Sequence, residues 1–344
     1  MVKSPQKMAR SVCGFYRNVN SDSMKEVGEW SDQLRKVGFE VQTERVVTRD
    51  ISFSELESRV DRADAFLGLG SVPFDAAQKF LADFAASKRI SFHVDLTNES
   101  IAIDHVNWLC ALMSQCPDRM FRFAFCFSNP PSAPYFPSAK YEREGFSIGV
   151  QPTDLASDCH TFDQWLDAMK RAWQDILELF GDDARFLGID SSVAPMGCGP
   201  GSLAGIAKRF LGSFEAAVLS DFFLKITRFI KEENPKPVGL CGLMLPCLED
   251  EQLADLYEEG RFSIERNLFL SLHSGLGIDT YPIGIDEDQA SVLSILKLVQ
   301  GLSLKYQKPF SIRFVSDGKA KIGQKTNFQN PYMKDVVIRS LKAC

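Results

Sequence analysis

Long apolar runs are missing from this 344-residue chain, none approaching the roughly 20 residues that a membrane span needs. Excess positive charge is missing too. With 39 Lys and Arg against 45 Asp and Glu, the formal charge is -6 and the pI about 5.4, so no basic field condenses a polyanion and nucleic acid is excluded as a partner. Histidine is scarce: His93, His105, His160 and His273 form no i, i+4 pair and no H-E-x-x-H, which removes a zinc site of recognisable spacing. The nine cysteines include no C-x-x-C pair, and reduced thiols are expected. The opening Met1-Val-Lys-Ser-Pro-Gln-Lys7 lacks the apolar core of a signal peptide, so the expected location is cytoplasmic, away from any membrane. Fixed-period repeats, low-complexity tracts and a Ser/Gly-rich linker are absent as well, which favours one domain over 1–344.

What is present is alternation. Short β-rich apolar runs at 11–16, 40–47, 65–68, 90–95, 121–128, 146–150, 185–190, 238–245, 277–283 and 310–315 predict about ten strands. Between them, apolar residues recur three or four apart, as in Met24, Val27, Trp30, Leu34 and again from Phe162 to Phe180, which predicts amphipathic helices. Their Trp and Phe read as core packing rather than a cofactor box. The class is α/β, with an N-terminal β-α unit in 1–50 and a tail helix in 330–344. Ser52-x-x-Glu55 and Thr161 mark helix starts. The longest irregular stretch, 129–145, carries four prolines among Tyr135, Phe136 and Tyr141; a loop this long and stiff is expected to close over a site.

Strand ends carry the candidate chemistry. Gly188-Ile-Asp190 runs into a loop with Gly197, Gly199 and Gly201, whose backbone N–H groups could face an anion at the next helix start. Cys198, flanked by glycines in that loop, is a candidate nucleophile. A second Gly277-Ile-Asp279 follows His273-Ser-Gly275; Asp190 and Asp279 are therefore a candidate acid/base pair or the oxygen ligands of a divalent metal, with capping of local turns as the alternative. Arg313 alternates with apolar neighbours in Phe310-Ser-Ile-Arg-Phe-Val315, and Lys319, Lys321 and Lys325 follow, so a carboxylate or phosphate ligand would suit them. Asn129 and Tyr135 from the proline-rich loop complete the expected pocket.

In this order the motifs resemble the uncharacterised domain-of-unknown-function family number seven hundred eleven. The matching stretches are Gly188-Ile-Asp-Ser-Ser-Val-Ala-Pro195, Gly242-Leu-Met-Leu-Pro246 before Glu249, Gly277-Ile-Asp279, and Lys308-Pro-Phe-Ser-Ile-Arg313 leading to Gly318-Lys-Ala-Lys-Ile-Gly323 and Phe328. The resemblance implies a single-domain α/β barrel of about ten strands with surrounding helices, like pyruvate formate-lyase, and a homodimer. It implies no reaction. Arg313-Phe-Val-Ser-Asp-Gly318 misses the spacing of a glycyl-radical loop, which opposes radical chemistry. The expectation is therefore an enzyme of hydrolase or lyase type without an organic cofactor, acting on a small anionic metabolite. Asp190, Asp279, His273 and Cys198 would be catalytic, while Arg313, Lys319, Lys321, Asn129 and Tyr135 would bind substrate. The rival is a non-catalytic sensor of an amino-acid-like ligand.

Overall fold

The computed structural model describes residues 7–342. Ten strands make one mixed sheet: β1 (Lys7–Phe15), β2 (Phe39–Val41), β3 (Glu44–Val47), β4 (Phe66–Val72), β5 (Ile90–Asp95), β6 (Phe123–Phe127), β7 (Gly145–Val150), β8 (Phe186–Asp190), β9 (Gly277–Pro282) and β10 (Phe310–Val315). Their order is β8-β7-β1-β3-β4-β5-β6-β10-β9, with β2 beside β1. Strands β1, β3, β4, β5 and β6 are mutually parallel; β7 with β8, and β9 with β10, are parallel pairs that meet this block antiparallel at β1–β7 and β6–β10. Helices join the parallel neighbours, as crossover connections require.

Each helix buries the face its spacing marks. Ser21–Lys36, opened by an Asn20–Ser23 capping box, buries Met24, Val27, Trp30 and Leu34, and Trp30 stacks on Phe146 of β7 at 3.9 Å between ring centroids. Phe162–Phe180 starts at Thr161, whose hydroxyl accepts from the Gln164 N–H, and buries Trp165, Trp173, Ile176 and Phe180. The aromatic stripes are core.

Two expected elements take another form. The 238–245 run is no continuous strand: Asp190 accepts the N–H groups of Leu240 and Cys241, and Gly239 (φ 73°) and Cys241 (φ 41°) turn the chain there. With those donors committed to a carboxylate, the stretch keeps only isolated parallel bridges. They run from Ile189 to Pro237 and Val193 to Leu243 on one side, and from Leu243 to Gly275 and Pro246 to Asp279 on the other. The tail helix expected in 330–344 is absent from 330–342, and its last two residues lie outside the described ones. That segment follows a different set of partners: Lys325 bridges Val337, Val336 and Ile338 are buried, and Lys334 N–H donates to Leu248 O.

The proline-rich loop between β6 and β7 lies against one face of the sheet. Ser11 and Ser147 donate to the carbonyls of Pro134 and Ser132, both at 2.8 Å, and the Tyr135 hydroxyl donates to Val150 O at 2.6 Å. Glycines make the room: a Cβ on Gly149 would sit 2.8 Å from the Tyr135 ring, and one on Gly68 would sit 2.9 Å from the Phe136 ring. His93 of β5 fixes the loop's middle, its Nδ1 bonded to Pro137 O at 2.9 Å and its Nε2 facing the Asn129 amide at 3.3 Å. The amide donates to Nε2, so His93 is neutral, and burial pushes it down to about 4.

This gives a pH prediction. Because the folded value lies below the unfolded one of about 6.5, stability is complete above pH 6.5 and falls as the pH drops toward 4. The loss from this group is about 3 kcal/mol. Urea melts between pH 7 and pH 4 check it, with His93→Gln expected to flatten that slope; an unchanged slope in the variant would refute the assignment.

Candidate functional site

Beside the loop, on the same face, lies a cavity of about 430 Å³, a size that takes a small metabolite. Its wall draws Arg10 from β1, Arg45 from β3, Asp279 from β9, Arg313 from β10 and Glu249 from the bridged stretch. The loop supplies a floor from Tyr135 to Ser138, and residues 327–333 edge the opening. Two β-bulges aim charges inward. Ala9 pairs with Val150 and Ser11 with Gly149, so Arg10 is an extra residue in β1. Ile312 pairs with Ile278 but Phe314 with Tyr281, so Asp279 and Thr280 (φ 38°) together oppose Arg313.

Glu249 joins the charges. It accepts from Arg10 Nη2 at 2.9 Å and Arg313 Nη2 at 2.5 Å, while Arg313 Nε donates to Asp279 Oδ1 at 2.6 Å. Burial pulls the Arg313 guanidinium down, but Asp279 and Glu249 outweigh it and hold it above its ordinary range. Arg45 differs. It is 8% exposed, donates from Nε to Thr43 Oγ1 and from Nη1 weakly to Pro134 O, and lies against the rings of Phe66 and Phe136. Among the described residues no carboxylate pairs with it, and burial, with Arg10 nearby, pushes it down to about 10. Its Nη2 has no protein partner and is not enclosed, so it opens on the cavity.

A family profile described as "uncharacterised ACR (DUF711)" matches residues 79–330. The chain belongs to DUF711. No curated protein matches it. The stretches that carry the family resemblance converge on this cavity: Pro195, Met244, Glu249, Asp279, Arg313 and Phe328 all line it. Arg10 and Arg45 lie outside the DUF711 match.

Of the residues expected from sequence, Asp279, Arg313 and Tyr135 come together here. Tyr135 presents ring rather than hydroxyl, since the hydroxyl is committed to Val150 and burial raises it well above its ordinary range. Asp190 is elsewhere. Fully buried, it accepts from Ser192 N–H and Oγ and from the N–H groups of Leu240 and Cys241, and burial raises it despite these donors. The two Gly-Ile-Asp carboxylates therefore make neither an acid/base pair nor a metal site; among the described residues no group of three or more His, Cys, Asp or Glu is placed to hold a metal ion.

The remaining candidates also lie outside the cavity lining. His273 bonds Ser274 Oγ at 2.7 Å. Cys198 is exposed on its turn, and the helix start beyond its glycines is already served by the chain's own Asp250, which accepts from the N–H groups of Leu203 and Ala204. Lys319 and Lys321 are exposed, and Asn129 is bound to the loop. Sequence reading missed Arg10, Arg45 and Glu249. The signal that found Arg313, one arginine inside an apolar strand, is equally present in Glu44-Arg-Val-Val47.

Proposed function

We propose that the cavity binds a small anionic metabolite through Arg45 and that the protein acts on it as an enzyme of hydrolase or lyase type. The observation that carries the reading is Arg45 itself: a buried guanidinium with no carboxylate partner among the described residues is costly unless a ligand supplies one. Arg45 would hold the anion through Nη2, its Nε and Nη1 being taken by Thr43 and Pro134. Glu249 has both oxygens engaged, so proton transfer falls to Asp279, whose Oδ2 makes no hydrogen bond among the described residues. The sheet order, five parallel strands against the β7–β8 and β9–β10 pairs with a bridged stretch between β8 and β9, supports closure into a ten-membered barrel of pyruvate formate-lyase type. Exposed Leu224, Phe269 and Leu304 on the outer helices support the homodimer that the resemblance implies.

A second reading, a non-catalytic sensor, is favoured by the lining, which among the described residues holds no Cys, His or Lys. Calorimetric titration with small carboxylates and phosphate, followed by assay for loss of the bound compound, separates the two. Arg45→Met is expected to weaken anion binding at least about tenfold, roughly 1.4 kcal/mol, while the empty protein melts no lower because an unmatched buried cation has been removed. Anion binding that survives Arg45→Met unchanged sinks the proposal. Turnover that stops in Asp279→Asn favours the enzyme over the sensor.

A further inference from the structure

We infer that the ligand is a monocarboxylate with a hydrocarbon body, carrying neither an ammonium group nor a second anionic group. The inference rests on the reading that Arg45 takes an anion and goes further by naming the remainder of the molecule. Charge in the lining decides what that remainder excludes. Arg10, Glu249, Arg313 and Asp279 pair among themselves and cancel. Asp118 is taken by Arg119, which lies outside the lining, and Asp317 accepts the N–H groups of Lys319, Ala320 and Asn327. Arg45 and Arg122 donate only to a hydroxyl and to carbonyls, with no carboxylate partner among the described residues. The cavity is therefore cationic. Each of its carboxylates already has a partner, so an ammonium group would enter beside cations with no unpaired carboxylate to meet it.

A second anionic group fares no better. Arg122 sends Nη2 to Ser87 O, outside the lining, and its Nη1 is enclosed. Arg45 has given Nε to Thr43 and Nη1 to Pro134, which leaves Nη2. One nitrogen with its two N–H groups serves one carboxylate, and is too few donors for the oxygens of a phosphate. The guanidinium itself has apolar surroundings: its central carbon lies 5.7 Å from the ring centroid of Phe66 and 5.0 Å from that of Phe136. Leu240, Met244, Leu276 and Phe328 line the same space. Hydrocarbon buried against these side chains gains by leaving water. A ligand matching this pattern has one charged end, met by Arg45, and an uncharged apolar remainder.

The test is a calorimetric comparison on the full chain. The monocarboxylates 4-methylpentanoate and 3-phenylpropanoate are set against acetate, which lacks the body, against L-leucine and L-phenylalanine, which add the ammonium group, and against glutarate and phosphate, which add negative charge. The two monocarboxylates should bind at least about tenfold tighter than each of the others, and Arg45→Met should weaken them at least about tenfold. The wild-type series decides the matter even if that variant folds poorly. Acetate binding as tightly as the larger acids removes the hydrocarbon body, and amino acids binding as tightly remove the exclusion of an ammonium group; either result overturns the inference and leaves the anion site standing. Glutarate or phosphate binding as tightly overturns it in the same way. Failure of every anion to bind removes the anion site and the monocarboxylate together.

Discussion

Replacing Glu249 by leucine is expected to lower the melting temperature by roughly 4–7 °C. The carboxylate stands between two guanidinium groups that are themselves mostly buried, with Arg10 and Arg313 side chains 11% and 8% exposed. Removing it leaves Arg10 with no carboxylate and Arg313 with Asp279 alone. Breaking a buried pair from one side costs about 3–5 kcal/mol, and a chain of this length has an unfolding entropy near 0.7 kcal/mol per degree, roughly. The same reasoning sets a control: Arg10→Met and Glu249→Leu combined should recover most of the loss, because Arg313 still pairs with Asp279 and no charge is then left alone. Differential scanning calorimetry on both variants reads the effect. A single variant that melts like the parent would mean the three-charge cluster is not formed.

Asp190→Ala should be at least as damaging, for a different reason. Its two oxygens satisfy four donors: two from Ser192, one from Leu240 and one from Cys241. Alanine leaves those donors buried, at about 1–3 kcal/mol each where no water reaches them, so a loss of at least about 4 kcal/mol is expected. Asp190→Asn should fall between, since its carboxamide keeps acceptors on one side only. Ligand affinity of the folded fraction should stay at the parent value in both. An Asp190→Ala protein as stable as the parent, but with altered ligand affinity, would return Asp190 to the site and refute its structural role.

These two carboxylates, Asp190 and the Asp279 of the cavity, show what a sequence reveals and what it hides. Both sit in Gly-Ile-Asp within a strand-like run, which reads the same in sequence, although Asp190 ends β8 while Asp279 is the third residue of β9. They diverge because of features that alternation does not encode. Asp190 meets a turn at Gly239 whose following N–H groups fold back on it, and Asp279 lies in a bulge that rotates it toward Arg313. Arg10 was hidden for a related reason: the run expected as a strand begins at residue 11, one past it, and the bulge between Ala9 and Ser11 that sets Arg10 in the strand is not written in the alternation. Local signals survived translation into structure where partners are close in sequence, as in the helices opened by Asn20 and Thr161. They failed where a distant group took the backbone donors, as Asp250 did at the helix start beyond Cys198. Membership of the family was legible because its motifs are contiguous strings. The site was only half legible because it is assembled from strands whose neighbours in space are far apart in sequence.

The cavity's floor is made by a loop and its walls by strands, so the two can change separately. Phe136 supports the Arg45 guanidinium from below, and Tyr135 and Ser138 set the depth, yet none of them belongs to a sheet ladder. Substituting these positions alters the shape offered to a ligand without breaking a strand pairing, while the ionic cluster above keeps its geometry. Diversification within such a scaffold would be expected to concentrate in the long loop between β6 and β7, leaving the frame that carries the charge unchanged.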